Sequence, residues 1–384
     1  MKKEQLKKLT GLLSFINRLI PKSRKKIVFY SNMGFRDNVR AVYDYLVSCP
    51  GGRYKVICAV NDWKDFKGKG HPRYVRFVSP LRGVWHFFTS RYFFYSFGKY
   101  PIKPAKNQMV VNLWHGSPLK KIGNYLNDED QNFFTILLAA SEFFAPIMQK
   151  AFNCRPEQVV VCGHPRNDAL FQPGDALQRL KVDGSFKRLI LWMPTFRQST
   201  FLGNMDVKAS PSGGTGLPIL GSRAEMARIN DQLAQSNTLM LAKIHPAQDL
   251  SQIDTEGFPN IRIVTNAEMQ QTGCNLYALL GSADGLVTDY SSVYFDFLLL
   301  NRPIAFTVDD IEEYTANRGF VVDDPYPLMP GRFIKTPEDF SRFIGDVVTG
   351  SDSFAAQRKK VGELANRYRD GMDCKRVLEL VGIL

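Results

Sequence analysis

The sequence predicts an α/β protein built from open parallel sheets in two successive domains, and three observations carry that reading. Short β-rich runs alternate with helical stretches along the chain. Most of those runs are continuously apolar and β-branched, the pattern of strands buried on both faces. The 384 residues suffice for two domains of ordinary size, about 150–200 residues each.

Hydrophobic residues make up 44% and charged residues 23%, the balance of a folded chain and not of a disordered one. No uncharged apolar run reaches the ~18 residues of a transmembrane helix. The 6 cysteines stand singly with no CxxC pair, which excludes a disulfide scaffold or zinc ribbon and points to a reducing compartment. With 50 Lys and Arg against 37 Asp and Glu, the net charge is +13 and the pI about 9.4. Such a surplus favours a polyanionic partner: nucleic acid, anionic lipid or a phosphate-rich substrate.

Residues 1–26 concentrate that charge, with Lys2, Lys3, Lys7, Lys8, Arg18, Lys22, Arg24, Lys25 and Lys26 against the lone Glu4. Leu6, Leu9, Leu12, Leu13, Ile16, Leu19 and Ile20 recur at helical spacing as one apolar stripe, and Pro21 stops the helix. Asn17 and Arg18 interrupt the apolar core that a signal peptide requires. Two readings stand side by side: a helix lying in an anionic membrane interface, or a helix docked on its own domain.

Candidate strands follow at 27–31, 54–59, 109–113 and 158–162, then at 188–193, 239–244, 261–265, 285–289 and 303–307. Residues 171–187 carry Pro, two Gly and mixed charge and mark the domain junction. The expected division is therefore 1–26, 27–175 and 176–384. Residues 198–222 form a long Gly/Ser/Pro-rich connection, more often a functional loop than an accident. The aromatic stretch 77–100 reads as filling for the first core, with base stacking or lipid contact as the other readings.

Reactive side chains fall where these strands end. His115 follows 109–113, His164 follows 158–162, Arg197 follows 188–193 and His245 follows 239–244. Asp289, Ser291 and Ser292 cluster at the end of 285–289. Open α/β sheets bind ligands at the carboxyl ends of their strands, so these placements predict one shared cleft. A lone His in such a place is commonly structural; five polar punctuations are harder to dismiss.

Each piece suits phosphate. The serines are expected at the N-cap and first turn of the helical run VYFDFLLLN, where free N–H groups and the helix dipole attract an anion. Asp296, one turn on, is expected to accept from a ligand hydroxyl. His115 through Lys121 offer a base, a close-approach Gly, a hydroxyl and two cations. Pro194–Arg197 and Lys243–Pro246 add an Arg fork and a Lys point charge.

Other chemistries lack their signatures. No GxGxxG follows a strand and no GxxxxGK[ST] occurs. No two histidines share i,i+4 spacing with a carboxylate, and Asp128, Glu129 and Asp130 sit in a polar turn with no strand before them. No metal site and no cofactor are assigned, and a divalent metal requirement stays undetermined. No RNP, helix-turn-helix or zinc-finger pattern supports nucleic acid as the partner.

At these residues the chain resembles a known family. Asn112 to Gly123 (NLWHGSPLKKIG) is similar to the WHGTPLKKIG signature of the CDP-glycerol glycerophosphotransferases, the teichoic acid primases and polymerases. Gly163 to Asp168 resembles that family's GxPRND, and Met193 to Arg197 its APT(W/F)R. Lys243 to Pro246 resembles KLHP, and Thr288 to Phe297 resembles TDYSSxxFDF. Tyr314 to Phe320 and Met329 to Arg332 resemble its closing Y…RG and PG segments. The ordered set spans nearly the whole chain.

The resemblance implies a GT-B-like architecture, two Rossmann-like domains with parallel sheets facing across a cleft, the first on the acceptor side and the second on the donor side. It implies transfer of glycerol phosphate from CDP-glycerol to a hydroxyl of a polyprenyl-linked glycan or poly(glycerol phosphate) acceptor, releasing CMP, at the cytoplasmic face of an anionic membrane. The family's two functional histidines carry over to His115 and His245. Its donor contacts carry over to Trp114, Gly116, Ser117, Pro118, Arg166, Pro194, Thr195, Lys243, Ile244, Ser291, Ser292 and Asp296; Arg197 and Asp289 join them from their strand-end positions. His164 stands where Tyr or Val is frequent and is read as structural. Ser117 stands where Thr is common. The Met329–Arg332 motif is primase-like while the His115 motif is polymerase-like, so both acceptor types stay open.

An in-line attack on the β-phosphorus leaves the protein little covalent work beyond positioning and charge stabilisation. His115 is expected to be the general base, titrating near neutral pH, with His245 and Lys243 stabilising the departing CMP; the two histidines could exchange roles. Rival readings are a CDP-ribitol transferase, a GT-B glycosyltransferase using a nucleotide sugar, and a non-catalytic polyanion-binding protein.

Overall fold

The computed structural model describes residues 3–50, 52–194, 217–244 and 255–384, with the side chains of the first helix described from Lys8 onward. The chain divides into two compact units. The first comprises residues 1–117, 122–168 and 365–384; the second comprises 118–121 and 169–364.

Among the described residues the first unit holds seven parallel strands: β1 (Ser23–Ser31), β2 (Lys55–Val60), β3 (Val75–Val78), β4 (Ser90–Tyr95), β5 (Met109–Asn112), β6 (Ile136–Ala139) and β7 (Val159–Val161), in the order β3-β2-β1-β4-β5-β6-β7. β1 lies centrally because its side chains suit burial on both faces. Ile27 and Phe29 meet Val39, Val42 and Leu46 of α2 (Asp37–Ser48) and Val377 and Leu378 of the helix Asp373–Leu380. Val28 and Tyr30 face the other way, into the cluster of Phe87 and Phe88 from α3 (Pro80–Thr89). Full burial of such side chains contributes about 1.5–3 kcal/mol each.

The second unit repeats the plan with β8 (Arg188–Trp192), β9 (Thr238–Lys243), β10 (Ile261–Val264), β11 (Gly285–Thr288), β12 (Ile304–Thr307) and β13 (Arg332–Ile334), ordered β10-β9-β8-β11-β12-β13, all parallel. Both sheets are therefore doubly wound and Rossmann-like, each reversing its strand order beside its first strand, at β1/β4 and at β8/β11. In such sheets ligands bind beyond the carboxyl ends of the strands at that reversal.

The nine expected strands are all present. β3, β6 and β13 were not expected, and β4 lies inside the aromatic stretch, whose Phe87, Phe88 and Tyr92 to Tyr95 are indeed buried. The junction differs from the expected 171–187. Ala176 and Leu180 are already buried in the second unit, where Cys274 Sγ approaches the Ala176 carbonyl oxygen, so the division falls at Asp168/Ala169. Ala365–Leu384 returns to the first unit because Val377 and Leu378 fill its core.

The N-terminal segment also departs from expectation. The first helix, α1 (Lys3–Leu19), ends ahead of Pro21, and Ser23–Lys26 already belong to β1. Its apolar residues are split between two faces. Leu13, Ile16 and Ile20 pack on the Phe87/Phe88 cluster, and Asn17 donates to the Lys103 carbonyl and to Gln108 Oε1. Leu9, Leu12 and Leu19, with Phe15, point to solvent. Lys22 turns inward: its ammonium donates to the carbonyl oxygens of Asn17, Ile20 and Phe88, and burial lowers its pKa to about 8. Lys26 likewise donates to Thr89 Oγ1.

Candidate active site

In the first unit, loops after four strands come together around His115. The β5 loop carries it. Trp114 N–H donates to Asn112 Oδ1, and Trp114 takes a left-handed φ of 52°, which swings the chain out of the sheet before Gly116 (φ 119°). Left-handed backbone is costly for a bulky residue and persists only where its surroundings hold it. Asn38, just after β1, does so: its Nδ2 donates to the carbonyl oxygens of Leu113 (3.2 Å) and Trp114 (3.0 Å). The Asn38 Oδ1 accepts from Arg166 N–H of the β7 loop at 2.9 Å. One buried carboxamide thus ties three segments together.

Arg166 is buried, and its Nη1 donates to Asp37 Oδ2 at 2.7 Å. Asp37 holds a left-handed φ of 64°, and its Oδ1 accepts from Asn38 N–H. Ser117 is buried, with its Oγ 3.4 Å from His164 Nε2. His164 N–H donates to Asp373 Oδ2, and Asp168 accepts from the N–H groups of Asp373 and Cys374. The loop 163–168 is thereby pinned to the C-terminal helix. Burial, then the neighbouring Asp168, pushes the Asp373 carboxyl up to about 8.

His115 is half-buried. Its ring lies 4.7 Å from Phe97 at 13° and 3.9 Å from Trp114 at 30° between ring planes. Burial lowers its pKa to about 4; Arg166 and His164 push the same way, and Asp37 opposes them. The expectation of a histidine titrating near neutrality is corrected accordingly: at pH 7 the imidazole is neutral and able to accept a proton.

The motif then changes units. Pro118 to Lys121 belong to the second unit, where Lys121 N–H donates to the Gly319 carbonyl and Val321 N–H to that of Leu119. Two segments of the family-like motif set, PLKK and RGF, are therefore paired.

In the second unit, Pro194 is buried just beyond β8, and Thr288 Oγ1 donates to the Met193 carbonyl. Lys243 is buried at the end of β9, its ammonium donating to the Ile244 carbonyl, while the Ile244 side chain belongs to the core. Asp289 is buried; Ser291 and Ser292 are half-buried. Ser292 is the N-cap of the helix Val293–Phe297, and Ser291 precedes it, so neither serine lies in the first turn. Asp296 has no solvent exposure, and its Oδ2 accepts from the hydroxyl of Tyr277, a buried tyrosine of the same unit, at 2.8 Å. Thr195, Arg197, His245 and residues 198–216 lie outside the described residues.

Asp37, Asn38 and Phe97 join the site although the sequence reading passed over them. The strand-end rule that found His115 also reaches Asp37 and Asn38, which follow β1; Phe97 follows β4, which was not among the candidate strands. Among the described residues no group of His, Cys, Asp and Glu is arranged to hold a metal ion, and no helix is long and apolar enough to cross a membrane.

The sequence profile of the family described as CDP-Glycerol:Poly(glycerophosphate) glycerophosphotransferase matches residues 12–382. A teichoic acid poly(glycerol phosphate) polymerase of Bacillus spizizenii is 28% identical over 351 residues, 83% of this chain and 83% of that protein. A teichoic acid ribitol-phosphate primase of the same organism is 23% identical over 95% of this chain and 93% of its own length. Among solved structures, the wall teichoic acid polymerase TagF superposes with a TM-score of 0.75 at 19% identity, covering 97% of this chain and 91% of that one.

Proposed function

From the premise that the chain belongs to the CDP-glycerol:poly(glycerophosphate) glycerophosphotransferase family, we propose that it transfers glycerol phosphate from CDP-glycerol to a hydroxyl of a lipid-linked teichoic acid-type acceptor, releasing CMP. The observation that carries this reading is His115: a neutral, half-exposed imidazole at a strand end of the first unit, in a loop held by Asn38. A neutral imidazole takes the proton of an acceptor hydroxyl as it attacks the β-phosphorus. The reaction then needs positive charge and N–H groups at the phosphates, not a covalent intermediate. On the strength of their motifs Arg166, the Ser291/Ser292 turn, His245, Thr195 and Arg197 are the candidates for such groups. A solved structure of a TagF variant soaked with CDPG supports CDP-glycerol as donor. The ribitol-phosphate primase, similar over 95% of this chain, supports CDP-ribitol as the second reading.

The experiment is calorimetry against CDP-glycerol, CDP-ribitol and UDP-sugars, followed by a CMP-release assay. CDP-glycerol should bind and CMP should appear. His115→Ala should keep donor binding and lose about two orders of magnitude or more of turnover. Release of a nucleoside diphosphate from a UDP-sugar, or near-normal turnover in His115→Ala, overturns the proposal.

A polyprenyl-linked acceptor stays in the bilayer, so the enzyme works at the membrane surface. Two helices over the same face of the first sheet support a seat there. Leu12, Phe15 and Leu19 of α1 are 57%, 59% and 67% exposed, and Leu81 and Trp85 of α3 are 83% and 61% exposed. Arg18, Arg24 and Lys25 remain exposed to meet anionic headgroups. Because Leu13, Ile16 and Asn17 are docked inward, the test is Leu12→Ser, Phe15→Ser and Leu19→Ser combined. The triple variant should melt like the parent and sediment several-fold less with anionic liposomes. Unchanged sedimentation assigns the contact elsewhere.

A further inference from the structure

We propose that Phe97 is a positioning residue for His115: its ring lies against the imidazole and fixes both its plane and its shielding from water. The inference rests on the reading of His115 as the base, and on three observations. The two rings are 4.7 Å apart and only 13° from parallel, whereas Trp114 meets the same imidazole at a 30° tilt. Phe97 is itself held in place. Its carbonyl accepts from Asn32 N–H of the β1 loop, and Gly98 (φ 68°) presses so closely on Asn32 that an added Cβ would lie 2.4 Å from that side chain. The Arg36 guanidinium stands over the Phe97 ring, 5.6 Å from its centre. The chain after β4 thus carries an aromatic plate anchored to the chain after β1, beside the loop after β5.

A flat apolar neighbour does two things to an imidazole. It removes hydrating water, which disfavours the imidazolium. It also restricts rotation of the ring, which decides whether the basic nitrogen points at the attacking hydroxyl. The charged and titratable groups around His115 are Asp37 at the start of α2, Arg166 and His164 in the β7 loop, and Arg36 beyond the Phe97 ring. Asp37 and a backbone hydrogen bond at His115 favour the imidazolium; Arg166 and His164 act with burial. Phe97 makes none of the hydrogen bonds of the Asn38–Arg166–Asp37 network, so its removal alters the packing and hydration of His115 and leaves that network in place.

The test uses the full chain with Phe97→Ala, Phe97→Leu and Phe97→Tyr, read by steady-state kinetics across pH and by NMR titration of the histidine rings, with His115→Gln to assign the signal. Phe97→Leu keeps apolar bulk without the flat contact, and stands in if Phe97→Ala fails to fold. Phe97→Ala and Phe97→Leu should lower kcat by about tenfold or more with KM for CDP-glycerol within about twofold. The His115 titration and the acid limb of kcat/KM should both rise by about one pH unit towards the ordinary histidine value. Phe97→Tyr should restore both. Parent kcat and a parent His115 titration in Phe97→Leu overturn the proposal while leaving the base in place. Retained turnover in His115→Ala overturns the catalytic reading, and with it the role of Phe97.

Discussion

The strand ends of the two units are held in different ways. Around His115 the bracing comes from side chains of other loops: Asn38 grips the backbone of Leu113 and Trp114, Arg166 is clamped to Asp37, and Asp168 caps the C-terminal helix. At the described strand ends of the second unit the support comes from beneath. Asp296 takes the Tyr277 hydroxyl, Thr307 Oγ1 donates to the Thr288 carbonyl, and Lys243 donates to its neighbour's carbonyl. The first arrangement fixes particular side chains in space. The second fixes a backbone turn and leaves the Ser291 and Ser292 side chains half-exposed. A reacting base needs a set position, whereas a phosphate cradle needs aimed N–H groups, so each unit carries the bracing its proposed task requires.

The largest effect should follow from breaking the first kind of brace at Asp37. Its ion pair with Arg166 is mostly buried, with side-chain exposures of 6% for Arg166 and 15% for Asp37. Removing one partner of a buried pair costs about 3–5 kcal/mol. Asp37→Ala also places alanine at a left-handed φ, adding about 1 kcal/mol. Asn tolerates that conformation and keeps an acceptor for Asn38 N–H, so Asp37→Asn should lose the charge term alone. Denaturant melts should rank the parent above Asp37→Asn and Asp37→Ala last, with turnover falling in the same order. If Asp37→Ala stays within about 0.5 kcal/mol of the parent, as a surface change would, the brace is not what holds this loop.

These braces also mark where the sequence stopped being legible. Continuous runs such as IVFYS and GLVTD gave the strands, and strand ends gave His115, His164 and the serines, because both signals are local; Arg166 came only from its resemblance to the GxPRND motif. The braces are not local. Asn38 lies 75 residues from Leu113 and 128 from Arg166, and the two become neighbours only through the strand order. Phe97 was hidden differently: it follows SRYFFY, whose aromatic residues fill the core, and nothing in its spacing separates it from them. β6 (ILLA) and β13 (RFI) are too short to show a period. On α1, a stripe wide enough to serve two faces reads as one, and only packing divides Leu13 and Ile16 from Leu12 and Phe15.

A smaller effect should follow from the second kind of support, and it separates the two units most sharply. Tyr277→Phe removes one hydroxyl and leaves the ring in place. The bond it breaks ends on a buried carboxylate, and such bonds contribute about 1.5–3 kcal/mol. Asp296 lies one turn beyond Ser292, inside the helix whose first turn follows the half-exposed serines. If the carboxylate only supports that helix, Tyr277→Phe should lower the melting temperature by about 2 °C or more and raise KM for CDP-glycerol by less than about threefold, with kcat unchanged. The opposite pattern, a parent melting temperature with KM raised more than about tenfold, would mean that Asp296 faces the donor. The second unit would then position side chains as the first does, and the contrast between the two would fail.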